Sequence, residues 1–160
     1  MPLVAAQEEA GIFRPVFKWL AGAVTKSRGY HHVFQGEVRL KQGNWVASGW
    51  HHRFMGQDAV DRRVSQVVRK DVNGCYAARI EMKAPDGQWV SKPTENSFFP
   101  DNWTPQYVAH TIHEAFANGH PIPNTRNRWE GFANGVSIQG SYNPTGKNWD
   151  SAWPIILGRG

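Results

Sequence analysis

Glycine punctuates the stretch between residues 36 and 91 too closely for a long helix to fit. Gly36, Gly43, Gly49 and Gly56 recur every six or seven residues, and Asn73-Gly74 and Asp86-Gly87 follow them. That spacing accommodates short strands joined by turns. Asn73-Gly74 sits between two apolar runs, Val64–Val68 and Tyr76–Met82, and predicts a hairpin. In the second run Tyr76, Ala78, Ile80 and Met82 alternate with Arg79, Glu81 and Lys83, the pattern of a half-buried strand. Asp86-Gly87 then turns the chain into a third strand at Gln88–Val90.

Helical periodicity appears only outside this region. Phe13, Val16, Phe17, Leu20, Ala21 and Val24 share one stripe of a predicted helix over 12–26, with Pro15 in its first turn and Gly29 as its stop. Thr104-Pro105 opens a second helix, with Thr104 as cap. Val108, Ile112, Ala115 and Phe116 are its buried stripe, and Gly119 and Pro121 close it. Further strands are expected at Val136–Gln139 and around Ser151–Ile156. An N-terminal helix, antiparallel sheets and a second helix make an α+β domain.

At 160 residues the chain is sized for one domain. Residues 1–29 read as an N-terminal helical segment, either a core helix or a junction to a larger parent protein, and residues 30–160 as the domain proper. The single cysteine, Cys75, excludes an internal disulfide and a cysteine-rich zinc site. No run reaches the roughly 20 apolar residues of a membrane span, and Met1–Glu9 lacks the basic-then-apolar order of a signal peptide. The formal net charge of +5 and pI near 9.6 favour a polyanionic partner. The positive residues are interleaved with aromatics and histidines and form no tail. No feature specifies an oligomeric state.

The histidines divide into two groups. His110, His113 and His120 invite a zinc hydrolase, but His110 and His113 fall beside or opposite the apolar stripe, and Glu114 is placed to pair with His110. No metal site is assigned to them. The pairs His31-His32 and His51-His52 lie beside Gly29 and Gly49, where the chain is expected to switch between extended and turn-like character. Two histidines with a lysine are what RNA cleavage without a metal requires. One imidazole removes the 2′-OH proton, a second protonates the departing 5′-oxygen, and a cation stabilises the phosphoryl charge. The substrate supplies its own nucleophile.

Specific residues sharpen this. Tyr30-His31-His32-Val33-Phe34-Gln35-Gly36-Glu37 resembles the H-V-F-x-G-E box of the EndoU endoribonucleases, and Ser48-Gly49-Trp50-His51-His52 resembles their second histidine box. Lys92-Pro93-Thr94-Glu95-Asn96-Ser97-Phe98-Phe99 is similar to the K-P-x-x-x-S-F segment, and Val136-Ser137-Ile138-Gln139 with Ser151-Ala152-Trp153-Pro154 to the closing I-Q…S/T-A-Y-P signature. The boxes stand in the family's order over residues 30–154, and Phe98-Phe99-Pro100 before a helix fits its bacterial branch.

The resemblance implies an EndoU, RNase A-like catalytic domain with His32 and His51 as the acid–base pair and Lys92 as the electrostatic partner. Ser151 and Trp153 would line the nucleobase pocket, the serine offering hydrogen bonds and the ring stacking. Ser97 would meet phosphate or cap local backbone. Cleavage at uridylates would leave 2′,3′-cyclic phosphate and 5′-OH ends. No cofactor is required, although some relatives respond to a divalent ion. Similar bacterial domains are delivered toxin effectors, in polymorphic and contact-dependent systems, that act on RNA, often tRNA, in a target cell's cytoplasm. A cognate immunity protein is implied, and the basic chain would suit an acidic one.

Departures from the pattern leave alternatives. The doubled histidines permit a register with His31 and His52, and Lys83 is a second lysine. Trp153 stands where the family has tyrosine and lacks its hydroxyl. A catalytically silent RNA-binding module on the same scaffold is therefore the rival. Gly36 and Gly49 are expected to give backbone freedom beside the histidines and Glu37 to accept a structural hydrogen bond. Trp45, Trp89, Trp103, Trp129 and Trp149 are read as packing.

Overall fold

The computed structural model describes residues 28–157. The helix expected over 12–26 lies outside them. The first described element is a short helix, α1 (Arg28–Phe34), followed by a hairpin of β1 (Glu37–Lys41) and β2 (Asn44–Ser48). β3 (Arg62–Lys70), β4 (Tyr76–Lys83), β5 (Trp89–Ser91) and β6 (Asn96–Phe98) come next. The helix α2 (Pro105–Ala117) leads into β7 (His120–Pro121), β8 (Arg128–Ala133), β9 (Val136–Tyr142) and β10 (Trp149–Pro154). The domain is α+β with three antiparallel sheets, and none of its described helices is long and apolar enough to cross a membrane.

Two apolar clusters organise it. In the first, Tyr76, Ala78, Ile80 and Met82 of β4 pack with Phe98 and Trp50, so the alternation read along β4 is its buried face. In the second, Val108, Ile112 and Ala115 of α2 pack with Val33 of α1 and with Trp129, Ile138 and Ala152 of the order β10-β9-β8-β7. Burial of these apolar surfaces is the main force holding the elements of each cluster together. Thr104 caps α2 as expected, accepting from the Tyr107 amide at 3.1 Å, and Pro105 is its first residue.

Gly29 is a correction. It lies within a helix rather than stopping one, and a Cβ there would overlap the Trp149 ring. Its smallness serves a close helix–strand approach, and the His31-His32 pair is accordingly helical instead of lying at an extended-to-turn switch. β8 also lacks an apolar run. Trp129 and Ala133 face inward with Gly131 between them, where a Cβ would strike the Ala115 backbone, while Phe132 faces out.

Candidate active site

The seam between the two clusters is where the histidine boxes meet. His32 lies in the last turn of α1 beside buried Val33, and His51 follows buried Trp50. Backbone bonds lock the two segments together: the Trp50 amide donates to the His32 carbonyl at 2.7 Å and the His51 amide to the Val33 carbonyl at 2.6 Å. Glycine makes this approach feasible. Gly36 and Gly49 have φ of +67° and +82°, and a Cβ on Gly49 would lie 2.5 Å from the His32 carbonyl oxygen. The imidazole rings of His32 and His51 end 5.1 Å apart, centroid to centroid, tilted by 37°.

Lys92 arrives from the opposite side. β5 and β6 both pair with β4, at Glu81–Lys83 and at Tyr76–Ala78, and Lys92 falls in the gap between them. Its Nζ donates to Asn96 Oδ1 at 2.6 Å, while Asn96 Nδ2 donates to the Trp50 carbonyl at 2.6 Å. Asn96 is 1% exposed. The resemblance left this position blank, yet its amide joins the lysine to the loop that carries His51. Its only trace in the sequence is an asparagine entering the apolar Phe98-Phe99 strand.

The environment sets the charge states. Burial, then the charges of His32 and Lys92, hold the His51 pKa well below the usual range. His51 Nδ1 lies 2.6 Å from the Ser97 carbonyl, an obligate acceptor, so Nδ1 carries the hydrogen and Nε2 keeps its lone pair. Burial and the Lys92 charge lower His32 to about 4, against an opposing pull from Glu37. His32 Nε2 is buried and has no hydrogen-bond partner among the described residues, a costly condition. Burial lowers Lys92 to about 8, so it keeps its charge at neutral pH.

Trp153 of β10 stands 6.3 Å from His51, with the Arg128 guanidinium 4.9 Å over its ring. Ser151, on the same face of β10, donates to Ser141 Oγ at 2.9 Å and accepts from the Ser141 amide. Two hydroxyls thus share one bond, which leaves the Ser141 hydrogen to be donated outward. Ser97 contributes its carbonyl to His51, and Glu37 pairs with Arg39.

The remaining sequence candidates stand elsewhere. His52 is enclosed, with Nε2 2.8 Å from the Trp103 carbonyl and its ring against Phe34 and Phe54. His31 lies partly exposed on α1, beside Glu37. Lys83 is exposed on β4, its ammonium 5.3 Å from the Trp89 ring centre. His110 pairs with Glu114 at 3.0 Å and His120 with Glu130 at 3.4 Å. Among the described residues no three His, Cys, Asp or Glu side chains gather as a metal site. Trp129 and Trp149 are buried in the core, whereas Trp45 is partly buried and bonded to Asp86.

Two neighbouring imidazoles, with an ammonium whose charge acts on both, are equipped to move two protons and to stabilise an anion. A family model described as bacterial EndoU nuclease matches residues 26–156. No curated protein and no solved structure matches the chain.

Proposed function

Because the chain belongs to the bacterial EndoU nuclease family, we propose that it is a metal-independent endoribonuclease on an RNase A-like scaffold, with His51 as general base and His32 as general acid. The observation that carries this reading is the 5.1 Å pairing of the His32 and His51 rings, with Lys92 acting electrostatically on both.

His51 is held as the neutral Nδ1–H tautomer, so Nε2 accepts the 2′-OH proton. The 2′-oxygen then forms a bond to phosphorus as the bond to the 5′-oxygen breaks. His32, whose imidazolium form Glu37 favours, protonates the leaving oxygen. Lys92 balances the charge on the non-bridging oxygens. The products are a 2′,3′-cyclic phosphate and a 5′-OH end. In this reading the three side chains supply both proton transfers and the charge stabilisation, and no step is assigned to a metal.

Trp153 stacks the base 5′ of the cut, and the Ser141–Ser151 hydroxyl pair meets its edge, in keeping with uridine there. The basic chain, with pI near 9.6, suits an RNA such as tRNA and an acidic immunity protein. We read it as a bacterial toxin domain acting in a target cell's cytoplasm.

A 5′-labelled oligonucleotide with one ribouridine in a deoxy background, incubated in EDTA, tests the reading. Scission at that nucleotide with a cyclic phosphate end is expected. Folded protein that leaves it intact, but binds it in a salt-sensitive way, is a silent RNA-binding module instead.

A further inference from the structure

The register of β10, β9 and β8 sets out side chains in rows on the outer face of their sheet, the face turned away from the core. Ser151, Ser141 and Arg128 pair in one row, and Trp153, Gln139 and Glu130 in the next. In the row after that, on the side of Trp153 away from the serines, Phe132 stands opposite Ser137. The Ile155 amide donates to the Ser137 carbonyl at 2.8 Å and completes that row. Phe132 therefore lies two strands across and one row along from Trp153, which strand spacing and rise make about 12 Å between their Cα atoms.

Phe132 is 61% exposed and belongs to neither apolar cluster, so core packing does not account for a phenyl ring there. Both helices pack against the inner face, through Val33, Val108 and Ile112, and no described helix covers the outer one. A ring on an open sheet face is a platform for a base, continuous here with the stacking site proposed at Trp153. Between the two, the Glu130 carboxylate faces His120 at 3.4 Å. A gap of about 12 Å is several times the ~3.4 Å step of stacked bases, so bases on the two rings are splayed apart, as in a single strand. Direction follows from the strand order. β10 is the strand whose Trp153 meets His51, and β8 lies beyond β9. The chain 3′ of the base on Trp153 enters the histidine pair, and the chain 5′ of it crosses β9 towards Phe132.

We propose that Phe132 is a second base-stacking subsite, which takes a nucleotide of single-stranded RNA 5′ of the one on Trp153 without regard to its base. The proposal deepens the nuclease reading and rests on it for its polarity, but its test does not depend on turnover.

Non-cleavable oligodeoxynucleotides with a deoxyuridine near the 3′ end, extended on the 5′ side by zero to four nucleotides, are titrated by fluorescence anisotropy. The wild type should gain about tenfold in affinity at one extension length, whichever base is added there, and an abasic nucleotide at that position should remove the gain. F132A should reduce the gain to within about twofold and F132W should keep it. Both variants should melt close to the wild type, because the ring lies outside the core. No gain at any length, a gain that persists in F132A, or a Phe132-dependent gain for 3′ extensions instead would overturn the subsite. A 5′ gain that depends on Phe132, with no scission of the matching ribouridine oligonucleotides, would retain the subsite and remove the nuclease reading.

Discussion

Asn96 receives the Lys92 ammonium at 2.6 Å and, through the other end of the same amide, holds the Trp50 carbonyl at 2.6 Å. One buried side chain thereby ties the cation to the loop that presents His51. Replacing it by alanine orphans both partners. N96A should lose about 2–3 kcal/mol of stability in denaturant titration, and its kcat should fall more than its KM rises.

Gly49 and Gly43 provide a matched pair, with φ of +82° and +81°. A Cβ on Gly43 meets open space, whereas one on Gly49 would sit 2.5 Å from the His32 carbonyl. G43A should cost about 1–2 kcal/mol from the left-handed backbone alone, with cleavage retained. G49A should cost clearly more and reduce cleavage, because the two imidazoles must separate. Melting temperatures and initial rates on the labelled oligonucleotide check both.

Acid should unfold the protein. His52 is 4% exposed and its pKa is lowered by burial to about 4, against about 6.5 when unfolded. Between those values the unfolded chain binds more protons, so stability falls as pH falls from 6.5 towards 4. His52 alone accounts for about 3 kcal/mol of that loss, and His32 and His51 are shifted in the same direction. Denaturant titrations between pH 7 and 4 should show the decline, and a flat profile would contradict it.

Catalysis should have a different pH signature. Lys92, lowered by burial to about 8, loses its charge as pH rises through that value, and cleavage should fall with it. K92R, whose guanidinium stays protonated, should remove that limb from the rate profile even if its rate is lower. The low His32 value makes the imidazolium scarce in the free enzyme. Consequently kcat/KM should decline with rising pH from a more acidic point than kcat, because bound phosphate favours the imidazolium.

Much of the fold was legible because patterning and turn chemistry agree. The β3–β4 hairpin follows from Asn73-Gly74 and the alternation after it, and α2 from Thr104-Pro105 and its stripe. β8 was hidden because Gly131 occupies an inward position where α2 leaves no room for a side chain, and Phe132 faces out. Gly29 misled for the same reason, since packing against Trp149, not backbone freedom, requires it. The sequence boxes named His32, His51 and Lys92, and the structure brings these three together. It does not supply their support by pattern: Asn96, the Ser97 carbonyl and the Ser141 hydroxyl act through tertiary contacts that no local spacing encodes.

The proton roles assigned to His51 and His32 are most directly tested with an oligonucleotide whose scissile 5′-oxygen is replaced by sulfur. A thiolate leaves without protonation, so only the general acid becomes dispensable. On ordinary RNA, H32A and H51A should each lose about 10²–10⁴-fold. On the thio substrate H32A should recover to near the wild-type rate while H51A stays slow. Recovery of H51A alone would reverse the assignment, and full activity of either variant on ordinary RNA would contradict a paired acid–base mechanism.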